Sequence, residues 1–217
     1  MKAAIIGGGV IGGGWASRFL LNGWDVNIYD PDSDSQRKLN LMLGNARRSL
    51  PSLYDFNLPK EGNIKLCDSI KEAVKNVNWI QESVPERLNI KRDVFKEIQK
   101  YCDTSTVIAS STSGFKPSEL NEGATNPSQI LVCHPFNPVY LLPLVEVVPS
   151  EISDPEIVKL SSDYLNKLGM KPLIVRKEID AHIADRLIEA VWREALWLVH
   201  DDIATTTEID DAMKYAM

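Results

Sequence analysis

The chain has 217 residues, of which 44% are hydrophobic and 25% charged, a composition typical of a folded domain in water. Its formal net charge of −6 argues against a nucleic-acid-binding protein, because such proteins usually present a basic face. No apolar run is long enough to predict a membrane span. The scattered cysteines, Cys67, Cys102 and Cys133, form no metal or disulfide motif. We therefore expect a cytoplasmic protein that binds no nucleic acid, no membrane and no metal.

Short apolar runs alternate with helical patterns over most of the chain. The predicted strands lie near residues 2–6, 25–29, 64–67, 78–82, 106–109, 130–133, 144–148 and 172–175. The predicted helices between them lie near residues 10–22, 33–50, 69–76 and 88–101. This alternation predicts an α/β fold of Rossmann type, with a doubly wound, mostly parallel sheet. The connection from 133 to 144 is short, so some of the later strands can run antiparallel.

The pattern becomes entirely helical after Arg176. Residues 179–200 predict one long helix, and Thr205 to Glu208 predict the start of another. We therefore predict a dinucleotide-binding domain over residues 1–177, followed by the start of an all-helical C-terminal domain over residues 178–217. Because the last helical pattern is still running at the end of the sequence, we expect this second domain to be truncated.

A glycine-rich loop joins the first predicted strand to the first predicted helix. In a dinucleotide-binding loop, glycines at this spacing permit a tight turn, close approach of a pyrophosphate and close packing of helix on strand. The N-terminus of the helix then faces the phosphates. The predicted coenzyme contacts in this loop are Gly7, Gly9, Val10, Ile11 and Gly12.

The position of Asp30 predicts which coenzyme this loop binds. It lies 18 residues after Gly12, at the end of the second predicted strand. There a carboxylate can accept hydrogen bonds from both ribose hydroxyls, and it would repel a 2′-phosphate. The two features together predict NAD as the cofactor. The alternative is a glycine-rich turn with Asp30 as an ordinary loop residue.

A hydroxyl, an imidazole and a carboxylate follow in order along the chain. Ser110 to Ser113 alone are typical of a polar turn. His134 directly follows an apolar run, and Glu146 lies inside another, where a buried carboxylate needs a partner. Two strands joined by a short loop can place Glu146 beside one ring nitrogen, leaving the other as a base. We predict a catalytic His134–Glu146 pair, against the alternative of a histidine that only supports a loop.

One face of the long helix predicted at 179–200 mixes polar and aromatic side chains. Steps of three and four residues place five side chains on one side: His182, Asp185, Glu189, Trp192 and Leu196. Such a stripe either faces solvent or lines a pocket, and the sequence favours neither.

Several motifs together resemble the 3-hydroxyacyl-CoA dehydrogenase superfamily, over essentially the whole chain. They are the glycine loop, Ser-Ser-Thr-Ser-Gly at 110–114, His-Pro-Phe-Asn-Pro at 134–138, Leu-Val-Glu at 144–146 and the long helix that follows. The resemblance implies an NAD-dependent dehydrogenase in which His134 is the base, Glu146 its partner and Ser113 a hydrogen-bonding partner of the substrate hydroxyl. It also implies coenzyme contacts at Glu86, Lys91, Ser113 and Asn137.

Within the superfamily, longer strings most resemble the members that oxidise L-carnitine to 3-dehydrocarnitine. They are residues 9–16, 81–87, 111–120 and 177–186. Asp185 stands where the acyl-CoA enzymes carry asparagine, and by that position we expect it among the catalytic residues. A negative group there also suits a cationic substrate. Aromatic faces and carboxylates bind a trimethylammonium. The expected substrate contacts are Ser113, Phe115, Phe136, Asn137, Tyr140, Asp185, Glu189 and Trp192.

Two other functions remain open at this point. One is a dehydrogenase of another 3-hydroxy acid, such as a 3-hydroxyacyl-CoA or gulonate. The other is a non-catalytic NAD-binding protein. The resemblance also implies a homodimer formed through the helical C-terminal domain, which in the family continues past the position of Met217 and supplies part of the substrate pocket.

Overall fold

The computed structural model describes residues 1–216, and an eight-stranded sheet forms the centre of the fold. The strands are β1 (Lys2–Ile6), β2 (Asp25–Tyr29), β3 (Ile64–Leu66), β4 (Trp79–Glu82), β5 (Val107–Ser110), β6 (Ile130–Pro135), β7 (Leu144–Val148) and β8 (Lys171–Ile174). Each predicted strand is present, within two residues of its predicted bounds.

The strands lie in the order β3-β2-β1-β4-β5-β6-β7-β8. Neighbours from β3 to β6 are parallel, and the succession of strands reverses between β1 and β4, as in Rossmann-type sheets. β7 is antiparallel to β6 and parallel to β8. The predicted fold class is therefore confirmed. The β6–β7 register places His134 directly opposite Glu146.

Helices connect the strands and follow the sheet. They are α1 (Val10–Leu21), α2 (Ser35–Ser49), α3 (Ile70–Ala73), α4 (Leu88–Gln99), α5 (Pro117–Leu120), α6 (Pro155–Lys167), α7 (Ala184–His200) and α8 (Thr206–Ala216). Helices α5 and α6 were not predicted from the sequence. The start of α6 is defined by Asp154, whose side chain accepts a hydrogen bond from the Glu156 N–H at 2.9 Å, and by Pro155 in the first turn.

The apolar core lies on both faces of the sheet. In β1, Ala3 and Ile5 face one core cluster and Ala4 and Ile6 face the other, because successive side chains of a strand alternate. The first cluster includes side chains of α1, α2 and α6, and the second includes side chains of α3, α4 and α5. This is the packing of a doubly wound fold.

The chain divides into two compact units, Met1–Asp180 and Ala181–Met217. The long helix of the second unit begins at Ala184, so the prediction that it starts at 179 is wrong. Ala181 and His182 have φ angles of 58° and 50°, a left-handed conformation that interrupts a right-handed helix. His182 therefore does not share the helix face with Asp185.

The start of the final helix agrees with its prediction. The Thr205 hydroxyl accepts a hydrogen bond from the Glu208 N–H at 3.3 Å, and the Glu208 carboxylate accepts one from the Thr205 N–H at 2.7 Å. This reciprocal pair is a capping box. Within residues 1–216, no helix combines the length and apolarity that crossing a bilayer requires.

A buried arginine connects the first helix to two distant segments. Arg18 in α1 is 1% exposed, and its guanidinium donates to the carbonyls of Leu168, Tyr140 and Gly169 at 3.0, 3.1 and 2.6 Å. Burial lowers the pKa of the Arg18 guanidinium. These bonds hold the helix that begins at the glycine loop against the segment that follows His134.

Replacing Arg18 with Leu should lower the free energy of unfolding by about 2–5 kcal/mol, because it leaves buried carbonyls without donors. The matched control is Arg48→Leu, since Arg48 is exposed and bonds Asn45 of its own helix. Urea unfolding of both variants measures the difference. A loss for Arg18→Leu no larger than that of the control would contradict this role.

Candidate active site

The polar residues predicted from the sequence meet at one edge of the sheet. β1, β2, β4, β5 and β6 are parallel, so the residues at their carboxyl ends lie along the same edge. Gly7 follows β1, Asp30 follows β2, Ser83 follows β4 and Ser111 follows β5, while His134 lies near the end of β6. Ligands of open α/β sheets bind outside this edge, near the reversal of strand order.

The glycine loop has the shape that a pyrophosphate needs. Gly7 has a φ of 95°, and a Cβ at Gly12 would lie 1.8 Å from the Gly7 carbonyl oxygen, so both positions require glycine. A Cβ at Gly9 would meet no atom within 4 Å, which leaves open space beside the first turn of α1. The N–H groups of that turn have no helical partner and are suited to bind phosphate oxygens.

Asp30, which follows β2, is hydrogen-bonded to the glycine loop. Its Oδ2 accepts a hydrogen bond from the Gly8 N–H, and its Oδ1 accepts one from the Asp32 N–H at 2.7 Å. Asp30 also lines a cleft of about 710 Å³, which we call the larger cleft. The other residues of the larger cleft are Ile6, Gly7, Gly9, Tyr29, Pro31, Asp32, Ile70, Ser83, Val84, Pro85, Ile90 and Val94. Its mostly apolar walls suit an adenine ring.

A second cleft, of about 230 Å³, lies at the same edge, and we call it the serine cleft. Its lining is Ile11, Ser83, Val84, Glu86, Lys91, Ser111 and Ser113. Four of these, Ile11, Glu86, Lys91 and Ser113, are among the residues predicted from the sequence. Ser83 and Val84 line both clefts, so a single extended ligand can pass from Asp30 to Ser113.

A buried ion pair, which was not predicted from the sequence, holds one residue of the serine cleft in place. Glu82 is fully buried and accepts hydrogen bonds from Lys91 Nζ at 2.8 Å, from the Val84 N–H at 2.8 Å and from the Ser110 hydroxyl. Burial raises the pKa of the Glu82 carboxyl, while its donors, Lys91 above all, oppose that shift. Lys91 is 1% exposed and also lies 3.1 Å from the Glu86 carboxylate. The signal in the sequence was a carboxylate at the end of a buried strand, nine residues before a lysine.

His134 and Glu146 contact each other across the antiparallel pair. His134 Nδ1 lies 2.9 Å from Glu146 Oε2, with His134 6% exposed and Glu146 fully buried. Because a carboxylate only accepts hydrogen bonds, this contact favours the tautomer of the imidazole that carries its proton on Nδ1. The ring of Phe136 packs against the imidazole, with centroids 4.7 Å apart.

The aromatic residues predicted to bind substrate differ in their surroundings. Phe136 is half-buried beside His134, and Asn137 is exposed next to it. Phe115 is half-buried and packs against the core cluster that contains Phe95. Tyr140 lies in a turn, as predicted, but its side chain belongs to the core cluster on the opposite face of the sheet and is 8% exposed. Its contact with a substrate stays a prediction. The main-chain carbonyl of Tyr140 accepts a hydrogen bond from the Arg18 guanidinium at 3.1 Å.

Asp185, Glu189 and Trp192 lie along one side of α7, in the second unit. Trp192 is 59% exposed. Their predicted roles toward a catalytic site and a substrate stay predictions. The residues that the structure brings together belong to the first unit: Gly7, Gly9, Ile11, Asp30, Glu86, Lys91 and Ser113 in the two clefts, and His134, Glu146, Phe136 and Asn137 around the end of β6.

Comparison with known protein families identifies the family of this chain. Residues 2–179 match the model of the 3-hydroxyacyl-CoA dehydrogenase NAD binding domain. The chain belongs to the 3-hydroxyacyl-CoA dehydrogenase family. Residues 182–217 match the C-terminal domain of the same family. The resemblance expected from the motifs is therefore confirmed, and so is NAD as the cofactor.

Curated relatives within the 3-hydroxyacyl-CoA dehydrogenase family are named for carnitine. The L-carnitine dehydrogenase/betainyl-CoA thioesterase of Ruegeria pomeroyi is 61% identical over 212 residues, which cover 98% of this chain and 44% of that protein. The L-carnitine dehydrogenase of Oceanobacillus iheyensis is 48% identical over 214 residues, which cover 99% of this chain and 70% of that protein. The chain spans about half the length of the first curated relatives that it matches.

Solved structures share the fold of this family member. One is a 5-formyl-3-hydroxy-2-methylpyridine 4-carboxylic acid 5-dehydrogenase described as an NAD+ dependent dismutase, with a TM-score of 0.92 and 28% identity, covering 100% of this chain and 70% of that one. A diketoreductase matches with a TM-score of 0.88 and 24% identity, covering 100% of this chain and 78% of that one, and supports the fold alone.

Replacing Asp30 with Ala should weaken NAD binding about tenfold or more, because it removes charge-assisted hydrogen bonds to the ribose and loosens the glycine loop. The preference for NAD over NADP should narrow at the same time, since the repulsion of a 2′-phosphate is lost. Titration calorimetry with both coenzymes measures these effects. Asp34→Ala is the matched control, because Asp34 is paired with Arg37 and does not line the larger cleft. Unchanged NAD affinity in Asp30→Ala would refute the assignment.

Proposed function

We propose that this chain is the coenzyme-binding and catalytic part of an L-carnitine dehydrogenase, which oxidises the C3 hydroxyl of L-carnitine to give 3-dehydrocarnitine. The observation that carries the proposal is the His134–Glu146 pair, at the carboxyl edge of an NAD-binding sheet. Relatives named L-carnitine dehydrogenase, at 48% and 61% identity, support this substrate.

The residues of the two clefts have separate tasks in this proposal. Asp30 binds the adenosine ribose, and the first turn of α1 binds the pyrophosphate. Lys91 and Glu86 bind the nicotinamide half, with Lys91 held in place by the buried Glu82. NAD, when bound there, supplies the acceptor for the hydride that leaves C3.

His134 removes the proton of the substrate hydroxyl in this mechanism. Its Nδ1 proton is held by Glu146, so Nε2 is the atom that accepts the hydroxyl proton as the hydride departs. The imidazolium that forms is stabilised by the adjacent carboxylate. Ser113, exposed at the serine cleft, hydrogen-bonds the same hydroxyl and orients it.

His134→Ala and Glu146→Gln should each lower kcat by about 10²–10⁴-fold in the full-length protein, because general-base catalysis typically contributes that much. The double variant should lose little more than His134→Ala, since the two groups act as a unit. Steady-state rates of NADH formation at 340 nm measure the cycle. Losses that simply multiply in the double variant would mean that the residues act separately.

An uncharged isostere tests the substrate. In 3-hydroxy-5,5-dimethylhexanoate a carbon atom replaces the quaternary nitrogen of carnitine, so shape is kept and charge is lost. We expect its kcat/KM to fall about 10- to 100-fold below that of L-carnitine, because aromatic and carboxylate groups no longer stabilise a cation. The matched control is 3-hydroxybutyryl-CoA, which carries no quaternary nitrogen either. Equal turnover of the isostere and L-carnitine would contradict cation recognition.

A further inference from the structure

Two serine hydroxyls form a pair in the lining of the serine cleft. Ser83 Oγ and Ser111 Oγ lie 2.8 Å apart, and both line the serine cleft. Their backbones are held by the sheet, because the Ser83 N–H donates to Ile6 and the Ser111 N–H donates to Glu82, each at 2.8 Å. The pair is therefore positioned before any ligand binds.

A buried glutamine determines how this pair uses its protons. Gln81 is fully buried in β4, and its Oε1 accepts a hydrogen bond from the indole N–H of Trp79 at 2.9 Å. An indole nitrogen only donates, so the amide cannot turn around without losing that bond. The Gln81 Nε2 group consequently faces Ser111 Oγ, at 2.8 Å, and donates to it.

One of the two hydroxyl protons of the pair has no hydrogen-bond acceptor in the part of the chain that the structure describes. Ser83 and Ser111 have one hydroxyl proton each, and the hydrogen bond between them uses one of the two. Gln81 uses neither, because it donates rather than accepts. Within residues 1–216, no other side-chain or main-chain acceptor bonds either hydroxyl. Whichever serine donates to the other, one O–H is left to point into the serine cleft.

We propose that the Ser83–Ser111 pair donates this hydrogen bond to an oxygen on the nicotinamide half of bound NAD. The inference rests on the proposed coenzyme site, because Ser83 also lines the larger cleft that contains Asp30. The pair thus lies on the path between the adenosine end and Ser113. A donor fixed there selects a ligand with an acceptor oxygen and restricts the orientation of the nicotinamide ribose and carboxamide.

Because either serine can supply the remaining O–H, the single and double variants should differ in NAD affinity in an unusual way. Ser83→Ala leaves the Ser111 proton for the cleft, and Ser111→Ala leaves the Ser83 proton. Each single variant should therefore lose NAD affinity by no more than about threefold. The double variant has no donor and should lose about tenfold, the usual effect of removing one hydrogen bond to a buried acceptor.

Titration calorimetry with NAD and with AMP measures these affinities. AMP lacks the nicotinamide half, so its affinity should be the same in all variants. The matched control is Ser150→Ala with Ser153→Ala, another serine pair, 3.2 Å apart, which lines neither cleft. This control should bind NAD as the unmodified chain does.

Three results would overturn the proposal. They are NAD affinity unchanged in the double variant, an equal loss of AMP affinity, and a single variant that loses as much NAD affinity as the double. In the first case, a raised KM of the double variant for L-carnitine would mean that the donor faces the substrate instead. An unmodified protein that binds NAD but does not oxidise L-carnitine would refute the proposed function alone, and the NAD titrations would still decide the role of the pair.

Discussion

Two carboxylates withdrawn from water organise the carboxyl edge of the sheet. Glu82, at the end of β4, and Glu146, in β7, are both fully buried, and a buried carboxylate is stable only when donors surround it. Glu82 accepts hydrogen bonds from the Lys91 ammonium and the Ser110 hydroxyl, and Glu146 pairs with the His134 ring. Glu82 thereby fixes the position of the Lys91 ammonium, and Glu146 fixes the position of the His134 ring.

The parts of the fold that follow from local pattern were predictable. The strands are short apolar runs, and parallel order follows from their alternation with helices, which places Gly7, Asp30 and Ser113 at one edge. The contact between His134 and Glu146 was predictable for a different reason. A short connection requires antiparallel pairing, and a buried acid requires a donor, so the two conditions together select one partner.

Contacts between the ends of different strands were not predictable. Ser83 and Ser111 meet because β4 and β5 are neighbours in register, which no local pattern reveals. The Glu82–Lys91 pair was missed because β4 reads as an apolar strand. The start of α7 was predicted too early, since the apolar periodicity continues through Ala181 and His182 while their backbone turns left-handed.

The contact between His134 Nδ1 and Glu146 implies that Glu146 fixes the tautomer of the imidazole, and ¹⁵N NMR of the imidazole nitrogens tests this most directly. The chain has three histidines, so substitution of each assigns the signals. We predict that the neutral His134 ring carries its proton on Nδ1, with an unprotonated Nε2, and that Glu146→Leu abolishes this preference. A neutral ring protonated on Nε2, or one unaffected by Glu146→Leu, would contradict this role of Glu146.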